Sequence, residues 1–182
     1  LLNRDLKAMK IVAVFIDGKR FFFFFFVVAL GVGEDGRKHV LGIFQSSTEN
    51  SAACLSLLND LEKRGMPSEN LLFVVDGGSG LNKALEEKYQ VHDAEKRRAI
   101  RIRCYFHKWN NISDVLDNKG KSEACPLFWS MRDAKDMSRA VAASDALEEV
   151  LKRHNKSALA SYHEAKDDLL MLHQLKISTT LL

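Results

Sequence analysis

Two apolar, strand-like runs in this chain end the same way, on an aspartate followed at once by glycine. The first is Val12-Ala13-Val14-Phe15-Ile16-Asp17-Gly18 and the second is Leu71-Leu72-Phe73-Val74-Val75-Asp76-Gly77-Gly78. Runs of about five β-branched, aromatic and aliphatic residues read as buried strands. A carboxylate at the C-terminal end of such a strand, backed by glycine, stands where open α/β sheets place their ligands. If the two strands are parallel neighbours, their axes lie about 5 Å apart. Asp17 and Asp76 then become joint ligands for one divalent cation, or for two cations about 4 Å apart. Asp-Gly is also an ordinary turn pair. Asp35-Gly36, in the turn Gly33-Glu34-Asp35-Gly36, is read that way.

The elements around these runs fix a fold class. Residues 11–16, 21–32 and 38–44 read as three strands of an antiparallel meander, with the 33–36 turn as a hairpin. Thr48-Glu49-Asn50 caps a helix that runs to about Arg64, with Ala53, Leu57, Leu58 and Leu61 at helical spacing. A strand at 71–75, a helix at 79–89 and a strand at 100–104 follow. Three antiparallel strands, then helix, strand, helix, strand, is the element order of an α/β RNase H-like core. That core is a mixed five-stranded sheet flanked by helices, in which the first and fourth strands are parallel neighbours. The sequence places it at residues 1–110. Residues 111–182 read as an all-α insertion, with helical spacing over 144–153 and 158–175 and no strand signal. The six phenylalanines at 21–26 are expected inside a central strand covered on both faces; as an isolated segment they are also an aggregation hazard.

Composition excludes several classes. With 46% hydrophobic residues the chain can bury a core and is not a disordered polymer. The 21–30 apolar stretch is too short to span a bilayer, so no membrane partner is expected. Three cysteines, Cys54, Cys104 and Cys125, make no disulfide framework and point to a reducing, cytoplasmic setting. The net charge is only +3, but Glu95-Lys96-Arg97-Arg98-Ala99-Ile100-Arg101-Ile102-Arg103 is densely basic. Such a run is either a solvated edge or a contact for a phosphate backbone. Cys104 and His107 have the Cys-x-x-His spacing of metal ligands, yet a structural zinc needs four, and the conceivable partners Cys125 and His154 show no paired spacing. Trp109 and Trp129 are read as packing residues, with base stacking as the alternative.

Several strings taken together resemble the Mutator-type transposases of bacterial insertion sequences. They are Asp17-Gly18; Val28-Ala29-Leu30-Gly31-Val32; Glu34-Asp35-Gly36-Arg37-Lys38; Val40-Leu41-Gly42; Thr48-Glu49-Asn50; Asp76-Gly77-Gly78-Ser79-Gly80-Leu81; and Arg103-Cys104-Tyr105-Phe106-His107-Lys108-Trp109-Asn110-Asn111. The resemblance starts at Arg4-Asp5-Leu6 and runs to Ile177-Ser178-Thr179-Thr180. It implies a DDE catalytic core in which two aspartates and a glutamate bind Mg2+, with Mn2+ as a substitute. Asp17 and Asp76 take the places of the aspartates. It further implies transposon ends and target DNA as partners, a homo-oligomer in the intact protein, and phosphodiester cleavage and strand transfer as the reaction. Arg97, Arg98, Arg101, Arg103, His107 and Lys108 are the expected DNA contacts, and Cys104 with His107 is the family's signature after the fifth strand. The family glutamate follows a Thr-Thr-Asn stretch; here Thr179-Thr180 is followed by Leu181-Leu182. The chain is therefore expected to be a core fragment cut before the third carboxylate, and inactive alone. The acids Glu148, Glu149, Glu164, Asp167 and Asp168 are conceivable substitutes but read better as solvated surface. The rival expectations are a non-catalytic relic or DNA-binding module with the same fold, and a stand-alone nuclease.

Overall fold

A computed structural model describes residues 3–46, 50–93 and 95–176. The chain divides into two compact units, residues 1–101 and 102–182. This division falls ahead of the 110/111 boundary expected from sequence, because helical structure begins at Tyr105.

The first unit is built on strands β1 (Ile11–Phe21), β2 (Phe24–Gly33), β3 (Lys38–Ser46) and β4 (Leu71–Val75), with β5 (Ala99–Arg103) leading into the second unit. The sheet order is β3-β2-β1-β4-β5. β1 pairs antiparallel with β2, and β2 antiparallel with β3. β1 pairs parallel with β4, from Ala13 opposite Leu72 to Ile16 opposite Val75. Every residue of β4 is buried, as an interior strand of an α/β sheet demands. Helices α1 (Ser51–Lys63) and α2 (Ser79–Tyr89) complete the unit. Asn50 caps α1 by accepting the Ala53 N–H at 2.8 Å. Thr48 and Glu49, expected in the same cap, lie outside the described residues. Leu57, Leu58 and Leu61 of α1 and Leu81, Ala84 and Leu85 of α2 join Val14, Ile16, Val27, Leu41, Phe73 and Val75 in one core.

The phenylalanine run behaves differently from its sequence expectation. β1 continues five residues beyond Ile16, to Phe21, and β2 begins only at Phe24, so the run makes a hairpin tip instead of a strand interior. Phe21, Phe22, Phe23 and Phe24 are 64%, 78%, 90% and 48% exposed. Only Phe25 turns into the core. A pattern of period two cannot be read from identical residues, so the sequence held no signal for the turn.

The second unit is helical: α3 (Tyr105–Ser113), α4 (Asn118–Arg132), α5 (Met137–His154), α6 (Lys156–His163) and α7 (Lys166–Gln174). The single helix expected over 158–175 is two helices, interrupted at Glu164 and Ala165. α4 was not legible, since it carries Pro126 inside it. Phe128, Met131, Leu147, Leu151, Tyr162, Leu169 and Leu172 are fully buried among these helices.

Candidate functional site

Asp17 and Asp76 occupy equivalent places on neighbouring strands. Ile16 and Val75 are the last parallel partners, and each aspartate is the next residue. Asp17 is still within β1, opposite Val28 of β2. Asp76 has left β4 and bends back, its Oδ1 accepting the Gly78 N–H at 2.9 Å. Gly77, at φ +94°, takes the left-handed conformation this turn needs, which a side chain would resist. The turn is then tied down from α2: Asn82 Nδ2 donates to the Gly77 carbonyl at 3.1 Å. Arg101 Nη1 in turn donates to Asn82 Oδ1 at 3.2 Å. A chain of contacts thus runs from the turn carrying Asp76, through Asn82, to a guanidinium of the basic run. The sequence reading missed Asn82. Its one available signal was its position in the first turn of a helix that starts beside Asp76. Gly18, Phe25, Val27, Cys54, Asp76 and Leu81 line a narrow cleft of about 10 Å³, room for one water molecule.

The basic run divides into residues with different partners. Arg98 is exposed; its guanidinium lies 5.9 Å from the Tyr89 ring centre and donates to the Lys88 carbonyl. Burial, reinforced by the Glu62 carboxylate, pushes the Tyr89 hydroxyl well above its ordinary pKa. Arg97 is half-buried and Lys96 pairs with Asp93 at 3.3 Å. In the second unit, Arg103 and Lys108 do not present their charges to solvent. Lys108 is 2% exposed; its Nζ meets Glu164 Oε2 at 2.6 Å, the Ser161 carbonyl at 2.9 Å and Ser161 Oγ at 3.3 Å. Arg103, also buried, reaches Glu164 Oε1 at 3.4 Å. These two cations hold the end of α6.

Cys104 precedes α3 and His107 lies in its first turn, both half-buried. Among the described residues no group of three or more His, Cys, Asp or Glu could hold a metal ion. The tryptophans pack: Trp109 lies 5.3 Å from Phe128, and Trp129 lies 5.2 Å from Phe106 and 5.3 Å from Phe128. Two of the helical acids hold cations as well. Glu148 meets Lys166 at 2.8 Å and His163 at 3.0 Å, and Glu149 meets Lys152 at 3.7 Å. Thr179-Thr180, the stretch ahead of the position expected for a third carboxylate, lies outside the described residues. No helix of the described residues is long and apolar enough to cross a membrane.

Comparison with known proteins adds an independent line. The family model described as "Transposase, Mutator family" matches residues 20–179. The transposase for insertion sequence element IS6120 of Mycolicibacterium smegmatis is 29% identical over 177 residues, covering 94% of this chain and 52% of that protein. The transposase for insertion sequence element IST2 of Acidithiobacillus ferrooxidans is 26% identical, covering 81% of this chain and 47% of its own length. The transposase for IS905 of Lactococcus lactis is also 26% identical, over 81% of this chain and 35% of that protein. The chain therefore spans about half the length, or less, of these relatives.

Proposed function

The chain belongs to the Mutator family of transposases, and from that premise we propose that it is the RNase H-like catalytic core of a DNA transposase, cleaving and joining phosphodiester bonds with a divalent metal. The observation that carries this reading is the register of β1 and β4, which puts Asp17 and Asp76 one step past the Ile16–Val75 pair on parallel neighbours. Their donor chemistry suits the metal. Mg2+ is a hard cation, commonly held through one or two carboxylates together with the phosphates of its substrate. Asp17 and Asp76 would hold Mg2+, or Mn2+, at the ends of the two strands. A metal there supplies a lowered pKa for the attacking water and charge stabilisation at the phosphate.

The remaining work is positioning and charge neutralisation. Asp76 is held in a fixed turn by its bond to Gly78 and by the Asn82 bond to Gly77. Arg101, anchored on Asn82, sets a positive charge by that turn for the strand being cut. Arg97 and Arg98 extend the same surface along the DNA backbone, and His107 is a further DNA contact. Transposon ends and target DNA are the substrates, and the intact protein works as a homo-oligomer.

The test is made in the intact protein that carries this chain. Asp17→Ala and Asp76→Ala should each abolish Mg2+-dependent nicking at element ends while DNA affinity stays within a few-fold of wild type. Nicking that survives either substitution removes the carboxylate pair from the chemistry and with it this reading.

A further inference from the structure

We infer that the phenylalanine hairpin between β1 and β2 is a DNA-engaging wedge, whose exposed rings stack on or between bases a fixed distance from the cleavage site. This rests on the transposase reading above, and it assigns a contact surface that the carboxylate site does not require.

Four observations carry it. The first is exposure: Phe22 and Phe23 stand 78% and 90% exposed at the tip, flanked by Phe21 and Phe24. Four large rings presented together to water are costly, and patches of that kind mark interaction sites. The second is register. Asp17 faces Val28, Lys19 faces Phe26 and Phe21 faces Phe24 across the ladder. Alternation along a strand therefore puts Asp17, Lys19, Phe21 and Phe24 on one face. A carboxylate, a cation and an aromatic pair follow one another along that face, the order that a nucleic-acid strand running outward from a metal site would meet. Lys19 and Arg20 are both exposed at the base of the tip, which matches a polyanion and not a lipid tail or an apolar protein groove.

The third observation is stiffness. A Cβ on Gly18 would clash with Phe25 Cζ, so the Phe25 ring lies directly against the Gly18 backbone. Phe25 is buried and locks the stem of the hairpin to the core beside Asp76. The tip is held out by a fixed stem. The fourth is backbone conformation. Phe22 has φ +52°, in the left-handed region that a phenylalanine seldom adopts. Strained residues of this kind cluster at functional contacts. At about 3.3 Å per residue, the five steps from Asp17 to Phe22 span roughly 17 Å. Base pairs rise about 3.4 Å each. The rings should therefore meet the DNA about five base steps from the scissile phosphate. Aromatic side chains at such places either support unstacked bases or wedge between steps of the duplex.

The experiment uses this chain, duplexes of an element end carrying 2-aminopurine at successive positions, and the variants Phe22→Ser/Phe23→Ser and Phe22→Gly. Both sites are exposed, so thermal unfolding should confirm an intact fold. Wild type should brighten 2-aminopurine at one or two positions about five steps from the cleavage point. The double variant should lose that signal and bind at least about 5- to 150-fold more weakly, the range for one lost stack. Its salt dependence should be unchanged, since no phosphate contact was removed. Phe22→Gly, which keeps Phe23 and relieves the backbone, should fall between. Equal affinity and equal fluorescence in all three overturn the wedge and leave the transposase reading standing. Failure of every protein to bind DNA overturns the wedge, and failure of the intact protein to bind as well overturns the transposase reading. A variant that changes the sedimentation of the chain but not its DNA behaviour shows a self-association surface, and that too overturns the proposal.

Discussion

The Lys108–Glu164–Arg103 cluster makes an asymmetric prediction. Lys108 is almost fully buried, whereas Glu164 is 57% exposed at its side chain. Replacing Lys108 with Met keeps the aliphatic stem and leaves the acid in contact with water. What is lost is the ammonium's bonds to the Ser161 carbonyl and, more weakly, Ser161 Oγ at the end of α6, where a cation is favoured, plus a half-exposed ion pair. Such a bond contributes about 1.5–3 kcal/mol and the pair up to about 1 kcal/mol. Removing the cost of burying an ammonium group returns much of this. A net loss of about 1 kcal/mol is expected. Glu164→Gln acts the other way. It takes the carboxylate from two buried cations, leaving Lys108 with only its Ser161 bonds and Arg103 without its ion-pair partner, and breaking one side of such a pair costs about 3–5 kcal/mol. The part-exposed acid pulls this toward the lower end, about 3 kcal/mol. Urea unfolding followed by the fluorescence of Trp109 and Trp129, both in the helical unit, reports the difference. A Lys108→Met cost equal to or above that of Glu164→Gln would refute the reasoning. So would a Lys108→Met variant of unchanged stability whose DNA binding loses about one unit of salt slope, since that lysine would then face phosphate.

Gly80 of α2 sits where a Cβ would lie 3.0 Å from the Asn50 carbonyl carbon and 3.2 Å from the Ser51 nitrogen. Those are backbone atoms at the start of α1 and yield little. Gly80→Val should therefore cost about 1–3 kcal/mol by thermal or urea unfolding, more than Gly80→Ala; equal stability of all three would show that α1 and α2 are free to separate. Glu148 has its pKa lowered, first by its bond to Lys166 and also by His163. A depressed folded-state carboxylate contributes stability that is complete above its unfolded value of about 4.3 and is lost as pH falls through the lower folded value. Glu148→Gln should make the acid side of the stability–pH curve shallower below about pH 4.3 and leave its shape near pH 7 unchanged. An unaltered acid limb would mean that the pair with Lys166 is not formed in solution.

Most of the sheet was legible because its signals are local. Leu71 to Val75 is short, apolar and bounded by Asn70 and Asp76-Gly77, and it is strand β4 with the same limits. Asn50 announced α1 and caps it. The places where reading failed share a cause: the deciding interaction is not in the local pattern. Six identical residues carry no periodicity, so the hairpin at Phe22 had to come from pairing with β2. Pro126 argues against a helix by itself, yet α4 forms because Ala124, Phe128 and Met131 bury one face. The basic run looked uniform, and tertiary partners split it. Arg101 is bonded to Asn82, while Arg103 and Lys108 meet at Glu164, 56 residues beyond Lys108.

Asp17 shows how this changes the meaning of a site residue. As the end of a strand with a loop beyond, it would be one carboxylate on a flexible turn. Inside β1, with β2 paired to it at Val28 and β4 ending beside it, its backbone is fixed from both sides. On the proposed reading, a carboxylate that holds a cation to within a fraction of an ångström gains more from that rigidity than from exposure. Asp76 reaches the same end by another route, since its strand stops and a side-chain bond to Gly78 replaces the ladder. Asn82→Ala should therefore loosen only the Asp76 side. In the intact protein it should raise the Mg2+ concentration needed for half-maximal nicking and leave the fold of β1 intact. A substitution that changed neither the metal requirement nor the rate would show that the Asp76 turn holds itself, and that Arg101 is anchored by Asn82 to no catalytic effect.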